Sequence, residues 1–93
     1  MPKFLVERKI PSAGRMSLEE LRATAATSND VVHDMQRDGT PIQWVQGFVT
    51  DDAIFCVYLA PDAEAIRGHA STSGFPADQV MDVRAVIDPT TGE

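Results

Sequence analysis

Residues 42–59 read IQWVQGFVTDDAIFCVYL, and this stretch decides the fold. Two arms rich in β-branched and aromatic residues meet at Thr50-Asp51-Asp52-Ala53, a short acidic turn. That pattern is a β-hairpin. With Asp51 and Asp52 as the central turn residues, Val49 faces Ile54, Gly47 faces Cys56 and Val45 faces Tyr58. The other face then carries Trp44, Gln46, Phe48, Phe55, Val57 and Leu59. Neither face is polar, whereas an antiparallel sheet in a lone small domain usually leaves one face wet. The expectation is helices over one face and, most simply, a second copy of the chain over the other.

Upstream of the hairpin, Ser17-Leu18-Glu19-Glu20 has the form of a capping box. The helix it opens, about Ser17 to Asp38, places Leu18, Leu21, Ala25, Ser28, Val32 and Met35 on one stripe. Gly39 is a natural residue after a helix end, and Pro41 forbids continuation. Before that helix, Lys3 to Ile10 alternates, with Phe4, Val6 and Ile10 on one side and Leu5, Glu7 and Lys9 on the other. Pro11-Ser12-Ala13-Gly14 ends this strand.

Downstream, Ala60-Pro61-Asp62 opens a second helix, with Pro61 at its first position and Ala63, Ile66 and Ala70 as its apolar stripe. Ser71-Thr72-Ser73-Gly74 ends it, and Phe75 is expected to tuck into the core. Val80 to Asp88 reads as the last strand, with Val83, Ala85 and Ile87 toward the helices and Arg84 and Val86 away from them. The tail from about residue 89 is too polar to pack.

The element order is β-α-β-β-α-β in one domain spanning 1–93. This is an α+β, ferredoxin-like sandwich, an antiparallel sheet with both helices on one face. Right-handed crossovers place the first and third strands centrally.

The bulk numbers narrow the function. Eight Lys and Arg against 14 Asp and Glu give a net charge of −6, which argues against nucleic acid or an anionic membrane surface. One cysteine excludes an internal disulfide, and Cys56, mid-strand, reads as a small buried apolar residue. No apolar run approaches the ~20 residues of a spanning helix, and the first residues, MPKFLVERK, are no signal peptide. A cytoplasmic protein is expected.

The opening PKFLVERKIP, the core IQWVQGFVTDDAIFCVYLAPDAEAIRGHA and the ending GFPADQVMDVRAVIDPTT resemble a small bacterial ferredoxin-like family, common in actinobacteria. It is known mostly as a domain of unknown function, and its characterised example binds nickel. The resemblance covers nearly the whole chain. It implies a homodimer of ferredoxin-like subunits, with nickel at the dimer surface and a role in nickel sequestration. Gln46 and Phe48 stand where members often carry His and Tyr, and Gly68 where a charged helix former is usual.

Two sets of candidate site residues follow. For a divalent metal, nickel favours imidazole with oxygen ligands. The two histidines are His33, three residues after Asp30 on the outer face of the first helix, and His69, at the edge of the second helix's stripe. Asp51 and Asp52 at the hairpin turn add oxygens, although turn chemistry alone explains them. No HxxxH or Cys/His cluster exists. For a small molecule, Glu7, Trp44, Gln46, Phe48 and Arg84 are placed on the open face of the sheet, where two subunits of an α+β-barrel dimer would enclose a cavity. Glu7 and Arg84 are expected to pair there.

No strong nucleophile, phosphate loop or organic-cofactor motif is present. The leading expectation is a non-enzymatic homodimer that binds a divalent metal. The alternative is a small-molecule binding protein or cofactor-free enzyme with its cavity between the two sheets.

Overall fold

The hairpin is the edge of a four-stranded antiparallel sheet. In the computed structural model, which describes residues 1–93, β1 spans Lys3–Lys9, β2 Gln43–Val49, β3 Ala53–Leu59 and β4 Gln79–Asp82. The spatial order is β2-β3-β1-β4, with β1 and β3 central as a ferredoxin-like sandwich requires. Helix α1, Leu18–Arg37, follows β1, and α2, Ala63–Ser73, follows β3. No helix is long and apolar enough to cross a membrane.

Alternation decides which side of each strand is buried. Phe4, Val6 and Arg8 on β1 and Ile54, Cys56 and Tyr58 on β3 point toward the helices and are buried. Their neighbours Leu5, Glu7, Phe55 and Val57 lie half-buried on the opposite face. The core joins the helix-side residues to Val32 of α1 and to Ala65 and Ile66 of α2.

Both helices begin as their sequences dictate. The Ser17 hydroxyl accepts from the Glu20 amide at 3.1 Å, and the Ser17 amide donates to the Glu20 carboxylate at 2.9 Å. Those hydrogen bonds hold the Glu20 carboxyl below its ordinary pKa. In α2 the cap is Asp62, which accepts from the Ala65 amide at 3.0 Å, so Pro61 precedes the helix rather than opening it. Gly74 ends α2 with φ of +81°, a conformation that costs a side-chain-bearing residue energy. Leu18, placed on the apolar stripe by its spacing, is exposed in the first turn of α1.

Two expectations are overturned. The register of β2 and β3 pairs Val49 with Ile54 and Gly47 with Cys56, but then shifts: Gln46 pairs with Val57 and Trp44 with Tyr58. Val45 is the extra residue of a β-bulge, so it does not face Tyr58. A bulge reverses parity beyond it, and Trp44 therefore turns from the open face to the helix side, where it packs against the core.

The last strand is also shorter than expected. β4 ends at Asp82, and the Val83 amide makes the final bond, to the Lys3 carbonyl at 2.9 Å. Continuing the register would place Arg84 opposite Pro2. Pro2 has no N–H, and its carbonyl already accepts from the Ala60 amide at 3.1 Å. The pairing also reverses the expected parity: Val80 stands opposite Val6 and Asp82 opposite Phe4, so the even positions of β4 face the helices, and Ala85 and Ile87, of the other parity and beyond the paired strand, are exposed rather than packed under the helices.

Candidate functional site

Arg8 is the last inward-facing residue of β1. Its side chain lies across Ile54 on β3 and reaches under α1. It is 2% exposed. Nη2 donates to the Tyr58 hydroxyl at 2.9 Å, and Nη1 donates to the Pro76 carbonyl at 2.7 Å. The guanidinium carbon stands 5.9 Å from the Tyr58 ring centre and 6.0 Å from that of Phe75, within cation–π range. Phe75 is thus half-buried against the Arg8 cation rather than tucked into the core as its sequence position predicts.

Burial raises the Tyr58 phenol pKa, and the adjacent Arg8 charge works against that rise. Behind Tyr58 lies His69, fully buried, with its ring tilted 58° and centred 5.4 Å away. Its Nε2 lies 3.2 Å from the Ser28 hydroxyl and 3.3 Å from the Ser28 carbonyl. Burial lowers the His69 pKa; the bond to Ser28 opposes this, and the Arg8 charge adds to it. Nδ1 has no partner. His69 is therefore a neutral imidazole that joins α2 to α1.

Arg8 and Tyr58 form one end of a cavity of about 330 Å³ between α1 and the β2–β3 side of the sheet. Leu21 and Ala25 of α1 line one wall, and Trp44 and Val49 of β2 the other. The volume falls within the range of small-molecule sites, about 300–1,000 Å³. At the β2 wall Val45 and Val49 remain about half exposed. The Trp44 indole N–H is buried and has no acceptor. An idle buried donor costs about 1–3 kcal/mol.

The residues chosen from sequence distribute differently. Gln46 and Phe48 keep the open face with Glu7, as expected. Trp44 has left it through the bulge. Arg84 lies beyond the sheet, and the Glu7–Arg84 pair does not form: the chain's ion pair is Arg37–Asp34 on α1. The cavity found within the chain is thus behind the sheet, not in front of it. Arg8 and Tyr58 were not among the candidates, although Arg8 shares the parity of Phe4 and Val6.

The metal candidates do not converge. No three His, Cys, Asp or Glu side chains stand close enough to hold one ion. His69 is sealed in the core, while His33 and Asp30 are exposed on α1. At the hairpin turn, the Asp52 carboxylate accepts from the Ser12 amide at 2.9 Å, and Asp51 offers its carbonyl to the Gly14 amide at 3.0 Å. Asp51 and Asp52 thus clamp the loop after β1. The donor set of the chain does not fit a closed nickel centre.

At the centre of the open face two rows cross all four strands. Phe48, Phe55, Glu7 and Gln79 make one, and Gln46, Val57, Leu5 and Met81 the other. Phe48 is about half exposed and Met81 about a third.

The crystal structure of SCO4226 from Streptomyces coelicolor A3(2) is similar, with a TM-score of 0.75 at 17% identity. The match covers 91% of this chain and 99% of that one, and it shows the fold. Among curated proteins no sequence matches. The family model described as nickel responsive protein, SCO4226-like, matches residues 4–83. That span is most of the chain, which therefore belongs to the SCO4226-like family of nickel-responsive proteins.

Proposed function

We propose that the protein is a non-catalytic homodimer acting in nickel response, with its subunits joined through the open face of the sheet. The observation that carries this reading is the contiguous apolar surface of Leu5, Phe48, Phe55, Val57 and Met81, set on four adjacent strands. An apolar patch of this kind on a small domain marks an interaction surface. A chain of 93 residues also gains from burying it, because a domain this small leaves much of its surface wet. The family description supplies the connection to nickel.

Any nickel contact within a subunit is weak and peripheral. His33 and Asp30, one turn apart on the solvent side of α1, are the donors open to an ion. His69 belongs to the scaffold. Sedimentation at micromolar concentration tests the assembly: a dimer is expected, and a well-folded monomer refutes it. Calorimetric titration with nickel tests the metal reading. Weak heat that disappears in His33→Ala is expected; tight binding unaffected by that substitution refutes peripheral contact.

A further inference from the structure

Arg8 carries a positive charge into the interior with nothing of opposite sign beside it. It is 2% exposed, and no carboxylate lies within ion-pair distance. Buried charges are ordinarily paired. Here a phenol oxygen, a backbone carbonyl and two ring faces supply dipoles and quadrupoles but no anion. The bonds to Tyr58 and Pro76 occupy two of the five N–H donors that a guanidinium offers.

The same guanidinium lines the 330 Å³ cavity, and it is the one charged side chain that does. The rest of the lining is mostly hydrophobic, with the idle indole N–H of Trp44 among it. An apolar chamber with one unneutralised cation is complementary to an apolar molecule bearing one negative group. We propose that this cavity binds a small apolar carboxylate. The carboxylate faces Arg8, and the hydrocarbon part lies between α1 and β2. The chain's net charge of −6 does not oppose this at close range. Exposed charges are screened beyond about 8 Å at physiological ionic strength, and no Asp or Glu lines the cavity.

The protein contains one tryptophan, Trp44, and it lines the cavity, so its emission reports occupancy. The experiment titrates the full chain with octanoate and with 1-octanol, which share a hydrocarbon tail and differ in charge. Octanoate is expected to shift Trp44 emission saturably and to bind about tenfold or more tightly than 1-octanol, a difference typical of one charge-assisted contact. Arg8→Gln should bring octanoate down to the level of 1-octanol. Ala25→Phe keeps Arg8, fills the cavity from α1 and should abolish both responses in a protein whose circular dichroism is native; it also serves if Arg8→Gln does not fold. Equal binding of the two probes overturns the proposal. So does an octanoate preference that survives in folded Arg8→Gln or in folded Ala25→Phe. Trp44 emission that ignores octanoate but changes on dilution of the dimer would mean that a second copy fills the cavity, and would overturn it as well.

Discussion

His69 makes the stability of this protein depend on pH over a defined window. The imidazole is fully buried and uncharged, and burial holds its pKa below the ordinary value of 6.5. The unfolded chain takes up a proton near that ordinary value, while the folded chain resists it. Protonation thus favours unfolding. The contribution of His69 is complete above about pH 6.5 and is lost as pH falls toward the folded-state value. Where the unfolded chain has taken up the proton and the folded chain has not, the slope approaches about 1.4 kcal/mol per pH unit, and it vanishes below the folded-state value. With a urea dependence of about 1–2 kcal/mol per molar for a small domain, the midpoint falls by about 1 M for each pH unit of that window. Glu20 and Asp88, whose pKa values are also lowered, lose their contributions only near and below their ordinary values of 4.5 and 3.8. The window above about pH 5 therefore isolates the histidine. Urea unfolding followed by circular dichroism, at fixed protein concentration, measures the slope. His69→Leu should flatten it, and His33→Gln, on the exposed side of α1, should leave it intact. A slope undiminished in His69→Leu would refute the assignment of His69 as a buried neutral group.

Three other perturbations have definite outcomes. Ile66→Ala, at a side chain with no exposure in the centre of the core, should cost about 2–5 kcal/mol, read as a lower urea midpoint. Gly14→Ala should cost about 1–3 kcal/mol by the same assay, because a Cβ there would stand 2.9 Å from the Asp51 α-carbon, a backbone atom with no freedom to withdraw. Phe48→Glu places a charge in the apolar row beside Phe55 and should yield folded monomers in sedimentation, with little change in circular dichroism.

Much of the architecture was legible because each element is specified locally. The capping box at Ser17, the glycines at 39 and 74, and the alternation of β1 each point to one structure by themselves. The end of β4 was not legible, because the alternation from Val80 to Asp88 continues past the point where its partner does. Strand length is a property of a pair, and the pair ends at Pro2. Nor was the bulge: inserting one residue at Val45 leaves every residue type compatible with a strand. The inward position of Arg8 was written in the parity of Phe4 and Val6, yet a strand-end arginine reads as solvated until its aromatic and carbonyl partners from β3 and the α2–β4 connection are in place.

The bulge has a consequence larger than one misplaced side chain. Without the extra residue, Trp44 would stand on the open face beside Gln46 and Phe48, and a ligand site there would have to be shared by two subunits. With it, Trp44 joins Arg8 and Tyr58 behind the sheet, in a cavity that a single subunit completes. The centre of the open face is left to Leu5, Phe48, Phe55, Val57 and Met81 with Glu7, Gln46 and Gln79, and Lys3 and Lys9 flank it on β1, an apolar centre with a polar rim suited to contact between copies. The two surfaces lie on opposite sides of the same strands. Gln46 borders both, so any communication between them runs through β2 and β3 as well as β1. There Glu7 faces one side and Arg8, its neighbour in the chain, faces the other.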